Sequence, residues 1–458
     1  MINKIDDIFN KQKMYFQSGN TLPISFRIEK LKKLKDIIKK YENEILNALF
    51  VDLGKSDFEG YMCEIGMALN EISHMIKHVK KYAKDKRVKT PLAQFASKSY
   101  IKASPYGTTL IISPWNYPFL LSIDPLIAAI AAGNTAIIKP SEYSVETSKM
   151  IDKIINECFE EEYVAVVNGE VDVSEYLLTK NFDFIFFTGS SNVGKIVLRK
   201  AAENLTPTVL ELGGKSPCIV DETSNIKLAA KRIIFGKLLN VGQTCVAPDY
   251  IYCHQSIKEE LIKELINQIK LQYGENYLEN TSYGKIINNK HFDRIIGLIE
   301  SNKVIYGGHS DQTTLKIEPT IIDNVTFDDK IMQEEIFGPL IPIITYENID
   351  TIISTLNNKP KPLAFYLFSE NKETIKTLTT RCIFGGGCIN DTIIHIATNE
   401  MGFGGVKESG MGAYHGKAGF DAFSHYKSIV NKKTWIDLPM RYSPYKNKFN
   451  KLVHFFLK

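Results

Sequence analysis

The feature that most constrains this chain is an alternation that begins at residue 108. Short runs of β-branched and other apolar residues at 108–112, 135–139, 163–167, 183–187 and 208–212 are separated by helical patterns near 118–132, 144–159, 172–180 and 191–203. Strand, helix and strand in succession imply right-handed crossovers, which align strands in parallel with helices on both faces. The expected class is α/β, with a doubly wound sheet whose ligands sit at the C-terminal ends of its strands. The alternation restarts beyond Gly213-Gly214, with further strands expected at 217–220, 250–254, 340–345, 363–368 and 387–390. A boundary between two α/β units is placed at these glycines. At 458 residues the chain is longer than one hydrophobic core usually supports, which fits more than one domain.

Outside this alternation, Ile28, Leu31, Leu34, Ile38, Tyr41, Ile45 and Leu49 recur at spacings of three and four, so 24–50 reads as an amphipathic helix packed on a core. Residues 82–105 are basic and irregular, an excursion from the main body. Residues 424–431 read as a strand able to pair outside its own domain. The apolar stretch 117–138 is interrupted by Asp124, Pro125, Gly133 and Asn134, so it is a buried helix followed by a strand, not a membrane span. No secretory signal is evident at the N-terminus. Apolar residues make up 44% and charged residues 24%, which excludes a disordered chain. With 56 basic and 52 acidic residues the net charge is +4, too balanced for a nucleic-acid surface. Seven cysteines without a CxxC pair fit free thiols in a reducing, cytoplasmic setting, with no disulfide framework and no metal site.

Two of the residues could make and hydrolyse a thioester. Cys245, in Asn-Val-Gly-Gln-Thr-Cys, offers a thiol able to attack a carbonyl, and Gly242 before it permits a close backbone approach. A cysteine chosen blind is more often a buried apolar residue; the surrounding string argues against that here. Glu211, thirty-four residues earlier in Leu-Glu-Leu-Gly-Gly, ends an expected strand where a partly buried carboxylate can serve as general base. Alone it would read as a capping or surface glutamate. Asn116, in Ser-Pro-Trp-Asn-Tyr-Pro, could donate its amide N–H to an oxyanion with the Cys245 backbone N–H as second donor; the plain alternative is a turn residue.

Other elements suit a dinucleotide. Thr188-Gly189-Ser190-Ser191-Asn192-Val193-Gly194 is a strand running into a helix through a glycine turn, which presents N–H groups and a helix dipole to phosphate. It is not G-x-G-x-x-G, and by itself it is a weak signal. Lys139 and Glu142, at another strand end, could hold ribose hydroxyls or simply be solvated. Glu335 and Phe337 lie two residues apart, on one side of an extended segment, where they suit one ribose.

Together these strings resemble the NAD(P)-dependent aldehyde dehydrogenase superfamily, within it the class 3 or fatty-aldehyde branch. The resemblance runs from about residue 20 to about 445. It rests on Ile111 to Pro118, on Lys139-Pro140-Ser141-Glu142, on Ser409 to Gly416 and on Phe420 to His425, beside the Cys245 and Glu211 motifs. It implies Cys245 as nucleophile, Glu211 as general base and Asn116 as oxyanion donor. The implied cofactor set is Trp115, Lys139, Glu142, Thr188, Gly189, Ser190, Val193, Gly194, Leu212, Glu335 and Phe337. Within it, Lys139 and Glu142 approach the adenine ribose, Gly189 and Ser190 the pyrophosphate, Val193 the adenine, and Glu335 and Phe337 the nicotinamide ribose.

The implied fold joins a Rossmann-like cofactor domain, 1–84 and 107–212, to a catalytic domain, 213–410. A bridging sheet, 85–106 and 418–432, makes a homodimer, and a tail follows at 433–458. The implied activity is oxidation of a medium- or long-chain aliphatic or aromatic aldehyde with NAD, or NADP as alternative. A CoA-acylating enzyme and a semialdehyde-specific one are the nearer alternatives, a catalytically silent protein of this fold the distant one. Met401-Gly402-Phe403-Gly404-Gly405 departs from the usual Leu-Pro-Phe-Gly-Gly, which is expected to loosen a loop on the substrate side. The basic, amphipathic tail is too short to span a bilayer and is expected to cover the substrate entrance, touch a membrane surface or dock on the protein's own core.

Overall fold

A computed structural model describes residues 2–437, 439–444 and 450–456 of the protein. Its largest elements are two sheets that follow one another along the chain. The first has six strands in the order Gly410–Met411, Thr208–Glu211, Phe184–Thr188, Thr108–Ile112, Thr135–Lys139 and Val164–Val166. All neighbours are parallel except Gly410–Met411, which returns late in the sequence to pair antiparallel with Glu211 and Leu210. The strands Thr108–Ile112, Thr135–Lys139 and Phe184–Thr188 are buried at every residue, as a sheet covered on both faces requires. Alternate side chains serve opposite layers. Leu110 and Ile112 join Ile5, Ile8 and Val197, while Ile111 joins Ile123, Ile127 and Ile151.

The second sheet has seven strands in the order Val304–Tyr306, Thr320–Ile322, Leu340–Tyr346, Tyr250–His254, Pro217–Val220, Ala364–Phe368 and Gly386–Ile389. Only Val304–Tyr306, at its edge, runs antiparallel. The third is a three-stranded antiparallel sheet of Lys86–Val88, Ser97–Pro105 and Ser424–Lys432, in which 424–432 pairs with 97–105 along its whole length.

Most expected elements form within a residue or two of their expected bounds. The helix expected over 24–50 is instead two, Ile24–Lys40 and Glu42–Leu53, broken at Tyr41. Leu31, Leu34, Ile38, Ile45 and Leu49 are nevertheless all fully buried. The stripe reported burial against one core, and two helices in succession satisfy it as well as one. The irregular basic stretch contains the strands Lys86–Val88, exposed at every residue, and Ser97–Pro105, mostly half-buried, so that no clean alternation marks either. Helix Leu120–Ala132 is buried at all 13 positions, which is why its sequence is apolar on every face apart from Ser122 and Asp124. In the tail, Asn450–Phe456 is helical, and 438, 445–449, 457 and 458 lie outside the described residues. Among the described residues no helix is long and apolar enough to cross a membrane.

Candidate active site

Helix Ile226–Leu238 leads into a turn whose backbone is forced by its surroundings. Asn240, Val241 and Gly242 take φ values of 50°, 56° and 76°, and a β-branched residue in this region is strained. At Gly242 a Cβ would stand 2.3 Å from the carbonyl oxygen of Gly338, so glycine is required. Gln243 secures the turn: its Nε2 donates to Asn240 O at 3.1 Å and Lys285 O at 3.0 Å, and its Oε1 accepts from Ile287 N at 3.1 Å. Cys245 follows, within a tight turn closed by Ala247 N–H to Thr244 O at 2.9 Å. All seven cysteines are free, and six are buried; Cys245 is the one that is partly exposed. Burial of its sulfur, then the carboxyls of Glu335 and Glu211, raise its thiol pKa against the N–H groups of Cys245 and Val246 that favour the thiolate. Activation therefore requires a base or a cation close by.

Glu211 closes its strand beside the glycine turn, and Gly189 N–H donates to its carbonyl at 2.9 Å. Its side chain is buried, and neither carboxyl oxygen has a hydrogen-bond partner. Desolvation pushes it well above the usual carboxylate range. A buried carboxyl with neither oxygen engaged keeps both lone-pair sets available to accept a proton.

Asn116 is buried, with Nδ2 donating to Gln243 O at 3.1 Å. Its carbonyl accepts from Asn240 Nδ2 and from Lys55 Nζ, both at 2.8 Å. Tyr117 and Thr244 share a hydroxyl hydrogen bond of 2.6 Å, so three hydrogen bonds join the Asn116 turn to the Cys245 turn. Sequence reasoning missed the floor beneath them: Lys55, Glu59 and Glu64, charged residues in a short segment with no motif of their own.

The remaining expected residues line the C-terminal edge of the first sheet. Lys139, buried, pairs with Glu142 at 2.7 Å. Ser190 caps helix Ser191–Glu203, its Oγ accepting from Val193 N at 3.4 Å. Val193 is 44% exposed on the first turn of that helix. The buried Thr188 Oγ1 has no partner. Gly189 lies over the Phe187 ring, and Gly194 admits Leu212, which a Cβ would meet at 2.6 Å. Gly194 and Leu212 are thus a packing pair. Trp115 stacks edge-on to Phe337, 5.3 Å between centroids, and meets His291 at 4.9 Å. Glu335 packs on Gly213, where a Cβ would lie 2.0 Å from its Oε2. Burial first, then Asp249, raise Glu335 to about 8 against the opposing Gly214 N–H, Lys215 and Arg294. A capped helix start, an orphaned Thr188 hydroxyl and an acid beside bare glycine backbone fit a dinucleotide.

Beside Cys245, Tyr366 OH donates to Val246 O, and the rings of His395 and Phe403 continue from Tyr366 at 6.0 Å steps. Phe403 and Tyr414 exchange two backbone hydrogen bonds of 2.9 Å. The Met401–Gly405 segment is therefore tethered at Phe403. His415, also unforeseen, stacks on Tyr414 at 4.2 Å and meets Asp124 at 3.0 Å. Glu71 completes this buried group, its ligand atoms within 4.8 Å of one another. Burial first, then Asp124, raise Glu71 to about 8. Burial alone would lower His415, but Asp124 and Glu71 outweigh it and raise its pKa.

Residues 3–429 match the model of the aldehyde dehydrogenase family. The chain is 50% identical to the 4,4'-diaponeurosporen-aldehyde dehydrogenase of Staphylococcus aureus, covering 99% of this chain and 100% of that one. It is 44% identical to aldehyde dehydrogenase family 3 member A2 of Pongo abelii, over 91% of this chain and 86% of the other. A solved structure, the substrate-bound state of Staphylococcus aureus AldH, superposes with a TM-score of 0.97 at 50% identity, covering 99% of each chain.

Proposed function

This chain belongs to the aldehyde dehydrogenase family, in its class 3 branch, and oxidises an aldehyde to the carboxylic acid with NAD(P); from that premise we propose which residues do the work, how the chain divides and which aldehydes it takes. The observation that carries the assignment is Glu211: a buried carboxyl with both oxygens unpartnered, near enough to Cys245 to oppose its ionisation.

In this reading the Cys245 sulfur attacks the aldehyde carbon and gives a thiohemiacetal. The second N–H of the Asn116 amide and the backbone N–H of Cys245 hold the oxyanion. A nicotinamide held at the cofactor site would accept the hydride that the thiohemiacetal carbon loses as it becomes the Cys245 thioester. Glu211 then takes a proton from water as the water oxygen adds to the thioester carbon, and the acid leaves with release of the Cys245 sulfur. A carboxyl whose pKa is raised by burial is the stronger base once ionised, which suits this step. For the cofactor, Gly189 and Ser190 receive the pyrophosphate at the helix N-terminus, Val193 flanks the adenine, and Glu335 and Phe337 hold the nicotinamide ribose. The Lys139–Glu142 pair sets an ammonium beside the acid that meets the adenine ribose, so NADP is tolerated and NAD preferred.

Residues 1–84 and 107–212 form the cofactor domain, 213–410 the catalytic domain, and 85–106 with 418–432 the bridge to a second copy. Strand Lys86–Val88 is exposed throughout and leaves the edge that a partner would cover. The substrate is a medium or long apolar aldehyde. Ile394 and Met401, one residue before His395 and two before Phe403, leave apolar side chains 53% and 55% exposed, and a relative half identical to this chain is named a 4,4'-diaponeurosporen-aldehyde dehydrogenase. The test is an aldehyde panel, aliphatic of increasing length, aromatic and charged, with NAD and NADP and with CoA added or omitted. Rising kcat/KM with apolar length and no CoA requirement is expected. A preference for charged semialdehydes overturns the substrate class, and dependence on CoA overturns the role of Glu211.

A further inference from the structure

Beneath the Asn116 turn lies a buried ion pair that no step of the chemistry uses. Lys55 follows helix Glu42–Leu53, and Glu64 sits on the π-helical turn Tyr61–Ile65. Their side chains are wholly buried and 2.5 Å apart. Every remaining bond of the pair goes to one short segment. Lys55 Nζ also donates to Asn116 O at 2.8 Å and lies 3.9 Å from the centroid of the Tyr117 ring. Glu64 Oε2 accepts from Phe119 N at 2.9 Å and Leu120 N at 3.1 Å, where helix Leu120–Ala132 begins.

A neighbouring acid treats the facing turn in the same way, Glu59 Oε1 accepting from Asn240 N at 2.7 Å. Asn240 Nδ2 in turn reaches Asn116 O and Gln243 O. Both lone pairs of the Asn116 carbonyl are thereby taken, by Lys55 and by Asn240, which fixes the plane of that peptide. With Asn116 Nδ2 already given to Gln243 O, the direction of the second N–H of its amide is set by this scaffold.

Burying two charges costs desolvation that their attraction repays only in good geometry, and an apolar pair of similar volume often folds as well or better. Stability alone is therefore a weak reason to place an ion pair here. We propose that Lys55 and Glu64 are positioning residues for the oxyanion donor: through the Asn116 carbonyl, the Tyr117 ring and the N–H groups of Phe119 and Leu120 they hold the Asn116 amide aimed at the reacting carbonyl. The proposal rests on the assignment of Asn116 made above.

The test is a double-mutant cycle. Lys55→Met with Glu64→Gln removes the charge pair and the bond to Asn116 O while leaving an acceptor for Phe119 and Leu120. Glu64→Gln alone, which also keeps that acceptor, is run in parallel in case the combined variant does not fold. Each is measured with and without Asn116→Ala for kcat, for KM, for cofactor Kd by fluorescence titration and for Tm. Removal of a whole oxyanion donor costs about 10²–10³ in kcat, and misaiming one is expected to cost about tenfold or more. KM and cofactor Kd should stay within about twofold, and no further loss should appear on the Asn116→Ala background. Full retention of kcat, or the same loss with Asn116 present and absent, overturns the proposal. Should Asn116→Ala alone leave kcat unchanged, the assignment of Asn116 falls first, a result distinct from failure of the pair.

Discussion

Two buried glutamates of this site, Glu64 and Glu211, have opposite surroundings. Glu64, in the helical floor, has a lysine on one oxygen and two backbone N–H groups on the other. Glu211, at the end of a strand in the first sheet, has nothing on either oxygen. A carboxylate with every lone pair engaged is a fixed part of the scaffold, whereas one without partners keeps a high proton affinity and is free to exchange it. The helical floor trades reactivity for position; the strand end does the reverse.

The largest effect should come from the group that both regions serve. Cys245→Ala is expected to abolish aldehyde-dependent NADH formation, measured by absorbance; appreciable remaining turnover would break the whole scheme. Next is Glu211→Gln, for which kcat should fall by about 10²–10⁴, the usual contribution of a positioned base. Acyl-enzyme should accumulate and be visible by intact mass. An undiminished kcat would leave the open oxygens of Glu211 without a function.

Stability should separate the two glutamates by sign. Lys55→Ala leaves Glu64 buried without its cation, and a loss of about 3–5 kcal/mol is expected in denaturant unfolding. Gly213→Ala acts at the cofactor edge: the new Cβ displaces the Glu335 carboxylate, so cofactor Kd should rise about tenfold, the worth of one hydrogen bond to a charged group. Unchanged Kd would remove Glu335 from the ribose site.

The smallest effect is the stability of Glu211→Gln, expected to exceed that of the parent by about 1 kcal/mol near neutral pH. A carboxyl whose folded pKa lies above its unfolded one stabilises fully only below the ordinary carboxylate range and progressively less as pH rises. The advantage of Gln should therefore widen from pH 5 to pH 9 in thermal melts. A gap that narrows would show that Glu211 is stabilised as the anion.

Much of the fold was legible because burial leaves a local trace. The runs at 108–112, 135–139 and 217–220 became strands with those bounds. The break at Tyr41 was not legible, since one apolar stripe serves two helices. Neither were Val304–Tyr306 and Thr320–Ile322, three-residue strands too short to show a period. At the site, Cys245, Glu211 and Asn116 stand in recognisable strings. Lys55, Glu59, Glu64 and Asp124 do not, and His415, although it stands in the Ser409–Gly416 string, shows no role there, because what matters about each is a partner distant in the sequence.

The order of strands and helices, the residue types able to carry acyl chemistry and the family itself were determined by the sequence, because periodicity and short motifs are local properties of a chain. Which carboxyl is left without partners and which is saturated was decided only by the tertiary structure. Glu64 meets donors 55 and 56 residues away, and Glu211 is buried where no element brings a donor to either oxygen. Desolvation and hydrogen bonding, which set the chemistry of each, depend on everything packed around them.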